Sequence, residues 1–172
     1  RFLYVKNIIR KKSLGQPIFF KYICAHSPKD HPTHPITSFK KNKKVKIPWR
    51  FQKSISGGGN YIDMGLHALD LANLLLGNIE SISANSSNIK KIYSADETVI
   101  ANIKLKNNIL GHGLWCSVIN GKKKDSFEIY LTKGKITFSL NFSNRVILEK
   151  NNKKLIKNFK LKKPVHKFFI HY

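Results

Sequence analysis

Ser56-Gly57-Gly58-Gly59-Asn60-Tyr61-Ile62-Asp63-Met64-Gly65-Leu66-His67 is the stretch on which the reading of this chain turns. Three successive glycines free the backbone from Cβ sterics, so it can turn sharply or lie close against another group. An apolar run follows, with Ile62, Leu66, Leu69 and Leu74 at helical intervals. It predicts a helix from about Asn60 to Leu76 that packs on something large. Asn60 is placed to cap its start, and Gly77 to end it in a left-handed conformation. Four residues separate Asp63 from His67, which on a helix puts both side chains on one face. A carboxylate beside an imidazole, just past a flexible loop, suits proton transfer. The plainer alternative is an aspartate at a helix start, offsetting the dipole and satisfying a core histidine. Asp70, one turn beyond His67, is a second candidate to hold the imidazole, or a partner for a nearby lysine.

Outward from this segment, the chain divides by pattern. Residues 2–12 read as a helix, with Phe2, Val5, Ile8 and Ile9 at helical spacing and Lys11-Lys12 at the C-terminal end. Residues 17–25, rich in Ile, Phe and Tyr, read as a strand. Residues 26–47, rich in proline and lysine, read as a long exposed loop. After Gly77 come β-rich runs at 79–87, 98–106, 109–118, 126–132, 135–141, 145–149 and 154–159. Turn signals such as Asn120-Gly121, Lys133-Gly134 and Asn151-Asn152 separate them. Strands joined so tightly are antiparallel. The expected fold is α+β: an open, largely antiparallel, meandering sheet with two helices covering one face.

The 172 residues suit a single domain, 1–172. The chain opens at Arg1 on Phe2-Leu3-Tyr4-Val5, already in mid-pattern, and is expected to be a piece of something longer, cut at both ends. No apolar run reaches the roughly 20 residues of a membrane span, so no membrane partner is expected. Lys+Arg number 32 against 9 Asp+Glu, a formal charge of +23. Such a charge raises nucleic-acid binding as a reading. Only Arg1, Arg10, Arg50 and Arg145 are arginines, however, and arginine is the better phosphate and base reader. The lysine, asparagine and isoleucine bias together argue for compositional drift and against a nucleic-acid partner, while the charge still favours anionic small ligands. Cys24 and Cys116 stand far apart in apolar settings, which suggests reduced, buried thiols and a cytoplasmic location. His26, His31 and His34 cluster with Asp30 among prolines, but their spacing matches no zinc pattern, and no metal site is assigned. Trp49-Arg50 precede the glycines; the arginine could reach an anionic substrate or be a solvated cation beside a buried aromatic. His166 in the tail reads as solvated or packed. No GxGxxG or GxxxxGK[ST] loop is present to cradle a dinucleotide or triphosphate.

Taken in order, Trp49-Arg50, Ser56-Gly57-Gly58-Gly59, Asp63, His67 and Leu69-Asp70 resemble the second domain of the Gfo/Idh/MocA family of NAD(P)-dependent oxidoreductases. Leu14-Gly15-Gln16-Pro17, Leu76-Gly77-Asn78-Ile79, Ala95-Asp96-Glu97-Thr98 and Leu131-Thr132-Lys133-Gly134-Lys135-Ile136 look like its further landmarks, so the likeness spans most of the chain.

The resemblance implies a substrate-binding and oligomerisation domain whose open sheet forms homo-oligomer contacts. It implies a sugar, polyol or anionic sugar derivative as substrate. NAD or NADP would be bound mainly by an N-terminal Rossmann domain that is absent from these residues, together with a lysine of that domain. His67 would exchange the proton of the substrate hydroxyl or carbonyl, and Asp63 would orient His67 or hold the substrate. Gly58, Gly59, Trp49 and Arg50 would contact substrate. Alone, the fragment is expected to be inactive. The alternatives are a non-catalytic binding or scaffold protein derived from the same domain, and a charge-driven nucleic-acid binder.

Overall fold

The computed structural model describes residues 1–31, 47–59 and 61–160. Asn60, His34 and His166, and most of the loop expected at 26–47, lie outside the described residues.

Among the described residues, two longer helices and eight strands carry the fold. Helix α1 is Phe2–Arg10 and strand β1 is Pro17–Ala25. A 3-10 turn at Trp49–Phe51, a short helix α2 at Lys53–Ser56 and a π-helical turn at Tyr61–Gly65 lead into helix α3, Leu66–Leu76. Then come β2 (Ile79–Ser87), β3 (Thr98–Leu105), β4 (Leu110–Cys116), β5 (Lys124–Leu131), β6 (Gly134–Phe138), β7 (Arg145–Lys150) and β8 (Lys153–Asn158). Alternation explains the strands: on β3, Val99, Ala101, Ile103 and Leu105 are buried while their neighbours are not.

The strands form one sheet in the order β2-β3-β4-β1-β5-β6-β7-β8. All neighbouring pairs are antiparallel except β1 with β4, which run parallel. The α+β architecture and the largely antiparallel open sheet agree with expectation; the simple meander does not. Strand β1, first in sequence, inserts between β4 and β5, because the bulky Phe20 and Tyr22 need the centre of the sheet. Phe20 stacks on Phe127 at 5.6 Å, and Phe127 on Phe138 at 5.1 Å. On the adjoining β4, Gly111 and Gly113 lack the Cβ that would stand 2.1 Å from Phe20 and from Trp115 respectively. The glycines of β4 thus make room for two of the three largest fully buried side chains of the core.

Helices α1 and α3 cover this face through Val5, Ile8, Leu69, Leu71, Ala72, Leu75 and Leu76. Ile62 and Leu66, expected in the buried stripe, are exposed instead. The hydrogen bonds of a π turn step over one more residue than those of an α-helix, which rotates the apolar stripe relative to a continuous α-helix. Gly77 does end α3, with its N–H donating to Asn73 O, but at φ 116 and ψ 171 rather than in the left-handed helical well. This too is glycine territory. Helix α1 stops at Arg10, before the residue 12 expected, and Lys12 takes a positive φ of 54 in the turn to Gly15.

The opposite face of the sheet carries no helix among the described residues. Phe19 and Tyr130 stack across β1 and β5 at 4.2 Å, and Ile100, Leu110 and Ile156 are exposed. Glu128 sits between Lys21 (3.4 Å) and Lys135 (3.9 Å).

Candidate functional site

Residues 49–67 are held in place by the segment before β3. Phe51 packs on Tyr93 at 4.7 Å, in a small core with Ala95 and Val118. Ala95 N–H donates to Phe51 O, Lys53 N–H to Ser94 Oγ, and Lys53 Nζ pairs with Asp96 Oδ1 at 3.6 Å. The segment is itself organised by Glu97, a buried carboxylate that accepts from Lys90 N at 2.7 Å and Ile92 N at 2.9 Å. Asn88 Nδ2 donates to Tyr93 O and Ala95 O. Tyr93 contacts the Ser117 hydroxyl, and burial pushes its phenol far above the usual range, so it stays protonated.

Each of the three glycines has its own reason. Gly57 closes α2 at φ +79, in the left-handed region, with nothing near its missing Cβ. Gly59 faces the segment above: a Cβ there would stand 2.7 Å from Asp96 O. The close approach that requires glycine at 59 is therefore made by the protein's own backbone. Gly58 has looser surroundings, with Ile62 Cγ1 at 3.2 Å from a built Cβ.

The π turn fixes Asp63. Tyr61 sets its ring edge-on against Trp115 at 5.0 Å, and Gly65 leaves space for that ring, since a Cβ would meet Tyr61 at 2.7 Å. Asp63 Oδ1 accepts from Arg50 Nε at 3.1 Å, and Asp63 Oδ2 lies 3.7 Å from His31 Nε2. Arg50 also lies over the Trp49 ring, 4.4 Å from its centroid. His67 sits one turn further on, on α3, half-buried like Asp63.

Trp49, Arg50, Gly58, Gly59, Asp63 and His67 are near one another in sequence, and the fold joins Arg50 to both Asp63 and Trp49. Arg50 is engaged with Asp63. Trp49 is 51% exposed rather than the buried aromatic of the plainer reading, and Asp70 is exposed. His31 was missed as a partner of Asp63. Residues 26–31 were expected in an exposed loop, yet His26 and His31 are buried at 0% and 3%. Burial follows from the aromatic contacts: the His31 ring meets Phe51 edge-on at 5.1 Å and His26 at 5.2 Å. Periodicity could not find it, because His31 lies between elements rather than in one. Among the described residues no group of three or more His, Cys, Asp or Glu could hold a metal ion.

Comparison with known proteins adds three kinds of likeness. The family described as GFO/IDH/MocA C-terminal domain matches residues 2–137. Among curated proteins, the chain is 28% identical over 123 residues to Oxidoreductase P35 of Formosa agariphila, covering 72% of this chain and 36% of that protein. It is 34% identical over 101 residues to an uncharacterized protein of Saccharomyces cerevisiae, covering 58% and 29%. Among solved structures, levoglucosan dehydrogenase in complex with NADH and levoglucosan superposes with a TM-score of 0.70 at 21% identity, over 91% of this chain and 43% of that one. An inositol dehydrogenase homolog from Azotobacter vinelandii, complexed with NAD+, gives 0.75 at 13% identity, over 94% and 41%. The chain spans about a third of the length of the curated relatives it matches and under half of these solved chains.

Proposed function

The chain belongs to the Gfo/Idh/MocA family by its C-terminal domain, and from that premise we propose that it is the substrate-binding part of a nicotinamide-dependent oxidoreductase acting on a sugar, polyol or related hydroxyl or carbonyl compound. The observation that carries the reading is Asp63, anchored by Arg50 at 3.1 Å, one turn before His67 and just past the glycines.

The nicotinamide cofactor supplies hydride chemistry when bound, as NAD or NADP. The described residues of this chain do not fit it: the sequence has no GxGxxG loop, Lys53 is paired with Asp96, and Gly59 is closed on the Asp96 backbone. Its binding is assigned to residues outside the chain, and no step is derived through it. What the chain's residues do is hold substrate and move a proton. In the oxidising direction His67 takes the proton of the substrate hydroxyl; in reverse it returns it to the carbonyl oxygen. Asp63, paired with Arg50, orients the ring or accepts a substrate hydroxyl. Trp49 lines the approach, and the buried Gly58 and Gly59 shape the loop behind it. Ile55, Ile62 and Leu66, exposed on the same stretch, offer an apolar rim for another domain to cover.

The open sheet face, with Phe19, Tyr130 and their apolar neighbours, suits a homo-oligomer contact. Cys24 and Cys116 form no disulfide, as reduced thiols in a cytoplasmic protein would; separately, among the described residues no helix is long and apolar enough to cross a membrane.

The test is a turnover assay on the gene product as its genome encodes it, with NAD+ and NADP+ offered against a panel of polyols and aldoses. His67→Ala is expected to lower kcat by roughly 10²–10⁴-fold with the fold retained. Near-normal turnover in H67A would remove the catalytic assignment. Ligand binding without any turnover of the wild type would favour a binding or scaffold role.

A further inference from the structure

The two oxygens of Asp63 are treated differently by the fold. Oδ1 has the Arg50 Nε donor at 3.1 Å. Oδ2 is buried, and no hydrogen-bond donor lies within bonding distance of it among the described residues. A buried carboxylate oxygen without a donor is unfavourable, because it has given up water and received nothing in return. The group that faces it is His31 Nε2, at 3.7 Å. A movement of less than about 1 Å would bring this pair to the usual N–H···O separation of about 2.9 Å. Hydrogen bonds of catalytic groups are commonly long in the unliganded state and tighten when substrate binds.

His31 is well placed to make that movement. Its ring is buried, wedged edge-on between Phe51 and His26, so it cannot swing to solvent. Phe51 adjoins Arg50 in the same 3-10 turn. The ring that steadies His31 is therefore tied by one peptide bond to the guanidinium that holds Oδ1. Among the described residues, Arg50 from this turn and His31 from the segment after β1 face Asp63, and His67 follows four residues along the chain in α3. Arg50 already balances the charge of Asp63, so a neutral His31 carrying its proton on Nε2 is sufficient to satisfy Oδ2.

We propose that His31 is a positioning residue for Asp63: its Nε2–H donates to Oδ2 and, with Arg50 on Oδ1, pins the carboxylate in the orientation that His67 and the substrate meet. The effect on turnover rests on the function proposed above; the hydrogen bond itself does not.

Two measurements on the full chain separate these claims. The first is the imidazole nitrogen NMR spectrum, which needs neither substrate nor cofactor. We expect His31 as the Nε2–H tautomer with a slowly exchanging ring proton, and loss of that protected proton in Asp63→Ala. An Nδ1–H tautomer in the wild type, or an unchanged proton in D63A, would overturn the proposal. The wild-type tautomer decides even if D63A fails to fold. The second compares His31→Gln, whose amide nitrogen can reach the Nε2 position, with His31→Phe in the turnover assay. H31F is expected to lose on the order of 10-fold to 100-fold in kcat with KM little changed, and H31Q to recover most of it. Equal losses in both variants would mean that the ring serves only as packing. A wild type without turnover counts against the proposed function alone, and the NMR result then stands by itself.

Discussion

A β-carbon on Gly59 would stand 2.7 Å from the carbonyl oxygen of Asp96. The glycine loop and the segment before β3 are in backbone contact there, so the site is registered against the sheet through Gly59.

Gly59→Ala is therefore expected to push the two segments apart, costing roughly 1–3 kcal/mol as overpacking does and lowering turnover with it. Gly57→Ala meets no neighbour but keeps a φ of +79, which costs an L-residue about 1–2 kcal/mol. It should destabilise with a smaller loss of activity. Urea denaturation beside turnover separates the two; equal activity losses would contradict the ordering.

Arg50 meets Asp63 through Nε, which lysine lacks. Arg50→Lys should therefore resemble Arg50→Ala, with kcat/KM reduced on the order of 10-fold or more. A lysine variant close to wild type would show that charge alone is needed.

On the open face, burial pushes the Glu128 carboxyl up, but the Tyr130 hydroxyl, Lys21 and Ser126 outweigh it and hold it below the usual range. The unfolded chain thus binds this proton more readily than the folded one. The resulting stabilisation is complete above the unfolded value of about 4.3 and is lost as pH falls through the lower folded value. Wild type should exceed Glu128→Gln in stability near neutrality, and the difference should shrink on acidification. A difference independent of pH would exclude this linkage.

Phe19, stacked on Tyr130 at 4.2 Å, lies at the centre of that face. If the face joins two copies, Phe19→Glu should lower the mass seen by sedimentation and leave the circular dichroism spectrum intact. An unchanged mass would place any oligomer contact elsewhere.

Much of this was legible in the residues. Alternation at Val99, Ala101 and Ile103 marks a half-buried strand, the Gly57-Gly58-Gly59 run marks a tight backbone, and the ordered landmarks around Asp63 and His67 carry the family likeness. The exposed Ile62 and Leu66 were not legible, because nothing in their spacing signals that the turn Tyr61–Gly65 widens to a π turn.

By itself the sequence determined the order and approximate place of the strands and of the two longer helices, since period and turn chemistry are local properties of the chain. Tertiary structure alone decided that β1 lies between β4 and β5, because any strand can offer its hydrogen bonds to several partners. That choice was made by ring packing among Phe20, Phe127 and Phe138. The same holds for His31. It is brought to Asp63 across more than thirty residues by aromatic contacts between segments that carry no shared pattern.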